Sequence, residues 1–270
     1  MLDRIRRGGV ALLVIVVVVA GLLIGGRALL GAARSAAHPD GCDFGSYTLD
    51  IDQAQVASTV VGVVLKRTLP VRAAVLTIGA ALQESKLRNI PAGQGDRDSV
   101  GILQQRPSQG WGTAAEIANV SYATGKFLDA VVKVPNWQGD SLAAVVQSVQ
   151  FSADGAAYAK HEPEAQQIAD ALMGTTPAAV SCNFGKPSKA ATGAAVSAAV
   201  QADLPVAVPT VAGQSVTVPG AGWATAAWFV CNADRLGLDS VGFSGKQWTR
   251  GKGWRAASSS AEAVVTNLSH

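Results

Sequence analysis

Charge is scarce in this chain. Lys, Arg, Asp and Glu make up 15% of its 270 residues, against about 25% in ordinary soluble domains. Apolar residues make up 49%, a balance that excludes a mostly disordered chain. Cysteine is scarce too. Cys42, Cys182 and Cys231 are too few for a disulfide-framework miniprotein. The three His, at 38, 161 and 270, form no His-x-x-x-His pair, and no Cys-x-x-Cys occurs. Metal-ligand spacing is therefore missing, and no metal is expected. No nucleophile-elbow glycine motif accompanies a Ser-His-Asp set. Gly93-Gln94-Gly95 lacks both the Lys-Ser/Thr and the preceding strand of a phosphate-cradling loop, so no cofactor is expected. A net charge of +3 is too small to suggest nucleic acid unless it is clustered.

That small charge is unevenly spread. Residues 1–37 carry +4, 38–185 carry −4, 186–221 carry +1 and 222–270 carry +2. The basic excess belongs to the ends, and the best-patterned segment is acidic, which argues against phosphate binding there. At the N-terminus, residues 8–26 contain no charge. As a helix they span roughly 28 Å, close to the hydrocarbon core of a bilayer. Arg4, Arg6 and Arg7 precede them, which predicts a cytoplasmic N-terminus and an exported remainder. The expected reading of 1–37 is therefore an uncleaved single-pass anchor in the cell membrane. The alternative is a secretory signal cut near Ser35-Ala36-Ala37, but the apolar run exceeds a signal's h-region and Arg27 and Arg34 intervene. Export permits disulfides. The pairs Cys42–Cys182, Cys182–Cys231 and Cys42–Cys231, or no bridge, all stay open.

Residues 38–185 read as one helical domain. Val56, Val60 and Val64 recur at helical spacing after a loop at 38–49, and Pro70 opens a second helix over 71–87. A Gly/Asp/Pro/Ser-rich loop follows at 89–112, then helical patterns at about 113–119, 121–133, 140–152 and 163–173. Nothing in 50–175 alternates over strand length, so the expected fold class is all-α. Residues 186–221, with Pro187, Pro205, Pro209 and Pro219, read as an extended Ala/Val/Pro-rich linker. Residues 222–270 read as a small α+β module: a helix from Trp223 to Leu236, then a hairpin turning at Ser244-Gly245. Its Trp223, Trp228, Trp248 and Trp254 interleave with Lys246, Arg250, Lys252 and Arg255. They suit either an anionic polymer or a core that a module this small needs.

Carboxylate chemistry is what remains, and Glu84 is the residue to examine. Val71, Val75, Ile78 and Leu82 form one stripe of the 71–87 helix, while Ala73, Thr77, Ala80 and Ala81 form a small-residue face that Glu84 continues. Burial on that face and the negative end of the helix dipole both disfavour the anion. A carboxyl kept protonated is what glycosidic-bond cleavage needs as its general acid. The bland alternative is a solvated last-turn Glu beside Lys86 and Arg88.

The neighbouring words bear on that choice. Gln83-Glu84-Ser85 ends a helix, an Asp/Gly/Ser loop follows, and then come Ser99-Val100-Gly101-Ile102-Leu103-Gln104-Gln105 and Arg106-Pro107. This resembles the lysozyme-like superfamily, specifically lytic transglycosylases and goose-type lysozymes, over residues 50–173. The runs LQESKLRN, GDRDSVGILQQRPSQGWG and QSVQFSADGAAYAKHEPEA also resemble a subgroup of exported proteins of high-GC Gram-positive bacteria, a closer likeness than that to well-studied transglycosylases. The resemblance implies a lysozyme-like helical fold, Glu84 as catalytic acid/base, Ser85 as part of the motif, and Gly101 and Gln104 shaping a substrate cleft. Ser99 belongs to the same loop. Gln105 and Arg106 are candidates for hydrogen bonds to N-acetyl or lactyl groups, Trp111 for stacking on a sugar, and Tyr158 for a place near the cleft. The Ala-Tyr-Asn-Ala-Gly motif of well-studied transglycosylases is absent. Asp96 and Asp98 are candidate second carboxylates for an inverting lysozyme, or loop charges paired with Arg97 or Arg88.

The expected function is a peptidoglycan-cleaving glycosidase, most simply a lytic transglycosylase cutting the glycan strand with one Glu. Its partners would be glycan strands, the membrane through the N-terminal helix, and other cell-envelope proteins. The alternative is a non-catalytic lysozyme-like module that binds or scaffolds the wall.

Overall fold

A computed structural model describes residues 40–150, 155–185 and 191–269. The chain opens with a short hairpin, β1 (Gly41–Phe44) and β2 (Tyr47–Leu49). Asp50 then starts α1 (Ile51–Lys66) through a capping box with Gln53, which satisfies backbone donors the first turn leaves free. Pro70 precedes α2 (Val71–Ser85). After the 86–113 loop come α3 (Ala114–Ile117), α4 (Val120–Val131), α5 (Leu142–Gln150), a 3-10 turn at Gly155–His161, and α6 (Glu162–Leu172). Strand β3 (Val180–Asn183) returns to pair with β1. Then follow α7 (Gly193–Asp203), β4 (Thr210–Ala212), β5 (Ser215–Pro219), α8 (Trp223–Cys231), β6 (Leu238–Phe243), β7 (Lys246–Thr249), β8 (Gly253–Ala256) and β9 (Ala263–Leu268).

The all-α expectation is overturned. Two sheets are present, one ordered β2-β1-β3 and one of six strands ordered β4-β5-β9-β6-β7-β8. Strands β1 to β3 have three or four residues each, too short to display an alternating pattern. The segment read as an extended linker supplies α7, β4 and β5. Its Val216-Thr217-Val218 alternates, with both Val buried, but Pro205, Pro209 and Pro219 masked the signal. Pro219 stands at the end of its strand, where a missing N–H costs least. The chain after the expected hairpin holds β9, which sits between β5 and β6. Among the described residues, no helix is long and apolar enough to cross a membrane. The expected anchor over 8–26 lies outside them.

Helix α2 is the axis of the core. Every residue from Ala73 to Leu82 is buried, and α1, α4, α5 and α6 all pack on it. Small side chains allow this: a Cβ on Gly79 would stand 2.1 Å from Leu142 Cδ1. The described residues share one apolar core, with Phe44 and Ile78 in the same cluster as Trp228 and Trp248. Helix α8 packs on α1, α6 and β3. Asn232 Nδ2 donates to Ser58 Oγ at 3.1 Å, both residues being buried, and Trp254 Nε1 donates to the Val180 carbonyl at 2.6 Å. Trp228 and Trp248 are buried, while Trp223 meets Phe243 and Trp254 edge-on at 5.0 and 5.3 Å. Trp228 and Trp248 are therefore core residues, and Trp223 and Trp254, half-buried, pack against that core.

Cys42 and Cys182 face each other across β1 and β3 and form a disulfide. Cys231 is free and buried, and burial pushes its thiol pKa up. The bridge is compatible with an extracellular location. It closes a separation of 140 residues, a loop worth about 4–5 kcal/mol in the chain-entropy account. Reduction, or the paired Cys42→Ser and Cys182→Ser variant, is expected to lower the thermal midpoint by roughly 10–15 °C. Thermal unfolding with and without reductant checks this; equal midpoints would show that the staple carries no stability.

Candidate active site

Glu84 lies in the last turn of α2. The helix stops because Lys86 and Leu87 both take positive φ, 55° and 58°. The Leu87 N–H bonds back to Ala81 O at 3.0 Å, and Lys86 N–H to Leu82 O at 3.1 Å, satisfying carbonyls the helix end would orphan. Leu87 is fully buried and pins this end to the core. Gln53 Nε2 caps the Lys86 carbonyl at 2.7 Å. Arg88 turns away to Asp50 and Asp52, the latter at 2.6 Å. One of the two cations beside Glu84 in the sequence is thus engaged at the start of α1.

The carboxyl of Glu84 is half-buried and receives a hydrogen bond from the Tyr158 hydroxyl at Oε1. Burial raises its pKa above the usual glutamate value, and the Tyr158 bond opposes that rise by stabilising the anion. Tyr158 is fully buried, so it faces Glu84 and the core. In a 3-10 turn, residues three apart lie one above the other. The turn Gly155–His161 uses this: His161 meets Gln83, with Nε2 3.1 Å from Oε1, one turn along from the Tyr158–Glu84 contact. Neighbouring residues on α2 are thus gripped by two side chains of one turn. His161 Nδ1 also lies 3.8 Å from Glu164. Burial lowers the His161 pKa, with Lys160 adding to the fall, and burial raises that of Glu164. Both directions favour a neutral contact over an ion pair.

Ser85 is buried beneath the following loop. Its hydroxyl donates to Ile102 O at 2.7 Å and lies 3.1 Å from Ala81 O, so it ties the helix end to the 99–105 segment. Gly101 sits at φ 77°, a conformation that favours glycine. A Cβ there would stand 2.8 Å from Ile117 O. Its N–H donates to Ile90 O at 2.8 Å. Gln104 Nε2 donates to Gly101 O at 2.9 Å, and Gln150 Nε2 donates to Leu103 O at 2.9 Å. Ser99 is buried, with its N–H on Asp96 O at 3.0 Å. Val100 and Gln105 form a β-bridge. Gln105 is buried, bonded through Nε2 to Ala123 O at 3.2 Å. Ser85, Ser99, Gly101 and Gln105 are thus set inside the loop's own framework beside Glu84. Trp111 is half-buried against the core, its carbonyl 3.4 Å from the Tyr122 hydroxyl.

Arg106 Nε donates to Asp98 Oδ1 at 2.6 Å, and Ser108 N–H donates to Asp98 Oδ2 at 2.8 Å. Hydrogen bonds from Ser108 and Arg106 hold the Asp98 carboxyl well below the usual carboxylate range. So depressed a carboxylate is a poor base. Asp96 is exposed, with Arg97 3.8 Å away.

His161, Gln83 and Gln150 were not among the candidates read from the sequence. The signal that could have found His161 was its spacing of three from Tyr158. No protein-family model matches the chain, and no curated protein matches it.

Proposed function

We propose that the protein cleaves the glycan strand of peptidoglycan as a lytic transglycosylase, with Glu84 as the one acid/base. The observation that carries this reading is the Glu84–Tyr158 pair: a half-buried carboxyl with a raised pKa, held by a buried hydroxyl at the end of the core helix. The lysozyme-like resemblance of residues 83–85 and 99–107 supports it.

Glu84, protonated, donates its proton to the glycosidic oxygen as the C–O bond to the anomeric carbon breaks. The Tyr158 hydrogen bond stabilises the carboxylate formed in that step. The carboxylate then takes the proton from the sugar's own 6-hydroxyl as its oxygen bonds to the anomeric carbon. The products are a strand with a new hydroxyl end and a 1,6-anhydro end, with no water consumed. An inverting lysozyme needs a second carboxylate free to activate water, and the engagement of Asp98 with Arg106 and Ser108 favours the one-acid route. In this proposal residues 1–37 anchor the chain and the rest faces the wall outside the membrane.

The test is incubation of the full chain with purified peptidoglycan and mass identification of released fragments. Anhydro-ended muropeptides are the expected product. Hydrated reducing ends would make the protein a lysozyme, and no release would defeat the catalytic reading.

A pH profile tests the role of Tyr158. Activity is expected to fall as pH rises through the raised Glu84 pKa, because the acid loses its proton. Tyr158→Phe removes the bond that favours the anion, so the Glu84 pKa rises further. The descending limb is expected to move to higher pH while the maximal rate falls. A lower rate with an unmoved limb would show that Tyr158 has only a packing role.

A further inference from the structure

A groove lies between the β1–β2 turn and α6, with a volume of about 650 Å³, within the range of small-molecule sites. None of its lining residues belongs to the Glu84–Tyr158 site. Phe44 and Ala171, both buried, give it apolar wall. Tyr47, half-buried, offers a ring and a phenol, and Gln166, Gln167 and Asp170 offer planar polar groups. Among the described residues, no Lys, Arg or His lines it.

The polar groups are fixed in advance. Gly45 has φ 67°, a conformation that favours glycine, and a Cβ there would stand 2.4 Å from Gln167 Nε2, so the turn lies directly against the Gln167 amide. Gln167 Oε1 accepts from Ser46 N–H at 3.2 Å and from Ser46 Oγ at 2.7 Å. Gln166 Nε2 donates to Asp170 Oδ2 at 3.0 Å, and Thr175 Oγ1, which donates to the Asp170 carbonyl at 2.9 Å, lies 3.3 Å from Asp170 Oδ1. Groups ordered beforehand lose less entropy when they bind. They also keep spare capacity, because a carboxylate accepts at about four lone-pair sites and an amide carries two donors and a carbonyl.

These features select a ligand class. An anion would meet Asp170 with no cation to offset it. A purely apolar ligand would bury the remaining donor and acceptor sites of the amides and the carboxylate without partners. A pyranose satisfies both halves: its C–H face suits the Tyr47 ring, and its hydroxyl and acetamido groups suit Gln166, Gln167 and Asp170. We infer that this groove is a second saccharide site, for neutral N-acetylated sugar, separate from the site of cleavage. It deepens the glycan-directed reading but does not require Glu84 to be catalytic.

The test is amide hydrogen exchange of the full chain with chitotetraose. Ligand is expected to slow exchange in segments 44–49 and 163–176. Tyr47→Ala and the near-isosteric Asp170→Asn are each expected to weaken that protection about tenfold, whereas Glu84→Gln leaves it unchanged. The Asp170→Asn result stands if Tyr47→Ala disturbs the hairpin. Absence of protection at these segments, protection unaltered by Asp170→Asn, or protection produced instead by a capped tetra-alanine peptide would overturn the inference. A chain that releases nothing from peptidoglycan yet shows this protection defeats catalysis alone. A chain that cleaves yet shows none defeats the second site alone.

Discussion

Glu84→Gln is expected to lower fragment release from peptidoglycan by about 10³-fold, within the usual span for loss of a general acid. The amide keeps the size and shape of the carboxyl, so packing at the end of α2 survives. What it lacks is the proton to give and the basic oxygen to take one back, and the proposed route uses the one group for both steps. Stability separates this from misfolding. Below the ordinary glutamate pKa the carboxyl is protonated in both folded and unfolded chains and costs nothing. As pH rises through the raised folded-state value, the wild type loses stability, because the half-buried anion is disfavoured. The Gln variant has no such loss, so its thermal midpoint is expected to gain on the wild type with increasing pH. A variant that keeps near-normal release would remove Glu84 from the mechanism.

The second large effect concerns the C-terminal third. A chain ending at 185 is expected to lose cooperative thermal unfolding, or to melt about 10–20 °C lower. The cut strips α8 from α1, α6 and β3. It leaves buried Ser58 without Asn232, and Phe184 without Trp248, whose ring centroid is 5.9 Å away, and without Arg250, whose guanidinium lies 5.0 Å from the ring. Uncovering even a few large apolar side chains costs about 1.5–3 kcal/mol each, against a total stability of about 5–15 kcal/mol. Close approaches make the same point. A Cβ on Gly62 would stand 2.4 Å from Asp203 O, and a Cβ on Gly174 would stand 2.5 Å from Ala224 N. An unchanged melt for the shortened chain would mean that the two parts fold independently. Assays of activity therefore belong on the whole chain.

The helices of 50–173 and α8, unlike α7 in the Ala/Val/Pro-rich segment read as a linker, were legible because their signals are local. Pro70 and the apolar stripes of 71–82 lie within a turn or two of what they specify. The hairpin at Ser244-Gly245 was legible for the same reason, with φ values of 47° and 73° that suit a tight turn. The strands were not, because what holds them is distant. β1 is defined by β3, 140 residues away at Cys42–Cys182, and β9 by β5 and β6. At the site, Glu84 could be singled out from its helix face and its neighbouring words. Its hydrogen bond from Tyr158, 74 residues on, could not be read from spacing. Nor could the engagement of Arg88 by Asp50 and Asp52 at the start of α1.

The most direct measurement is a digest of peptidoglycan by the full chain in heavy-oxygen water, with released fragments weighed by mass spectrometry. The account predicts fragments with anhydro ends that carry no heavy oxygen at the cleaved bond, and their near-disappearance with Glu84→Gln. Heavy oxygen at the new reducing end would contradict the one-acid route, and the absence of any fragment would contradict glycan cleavage itself.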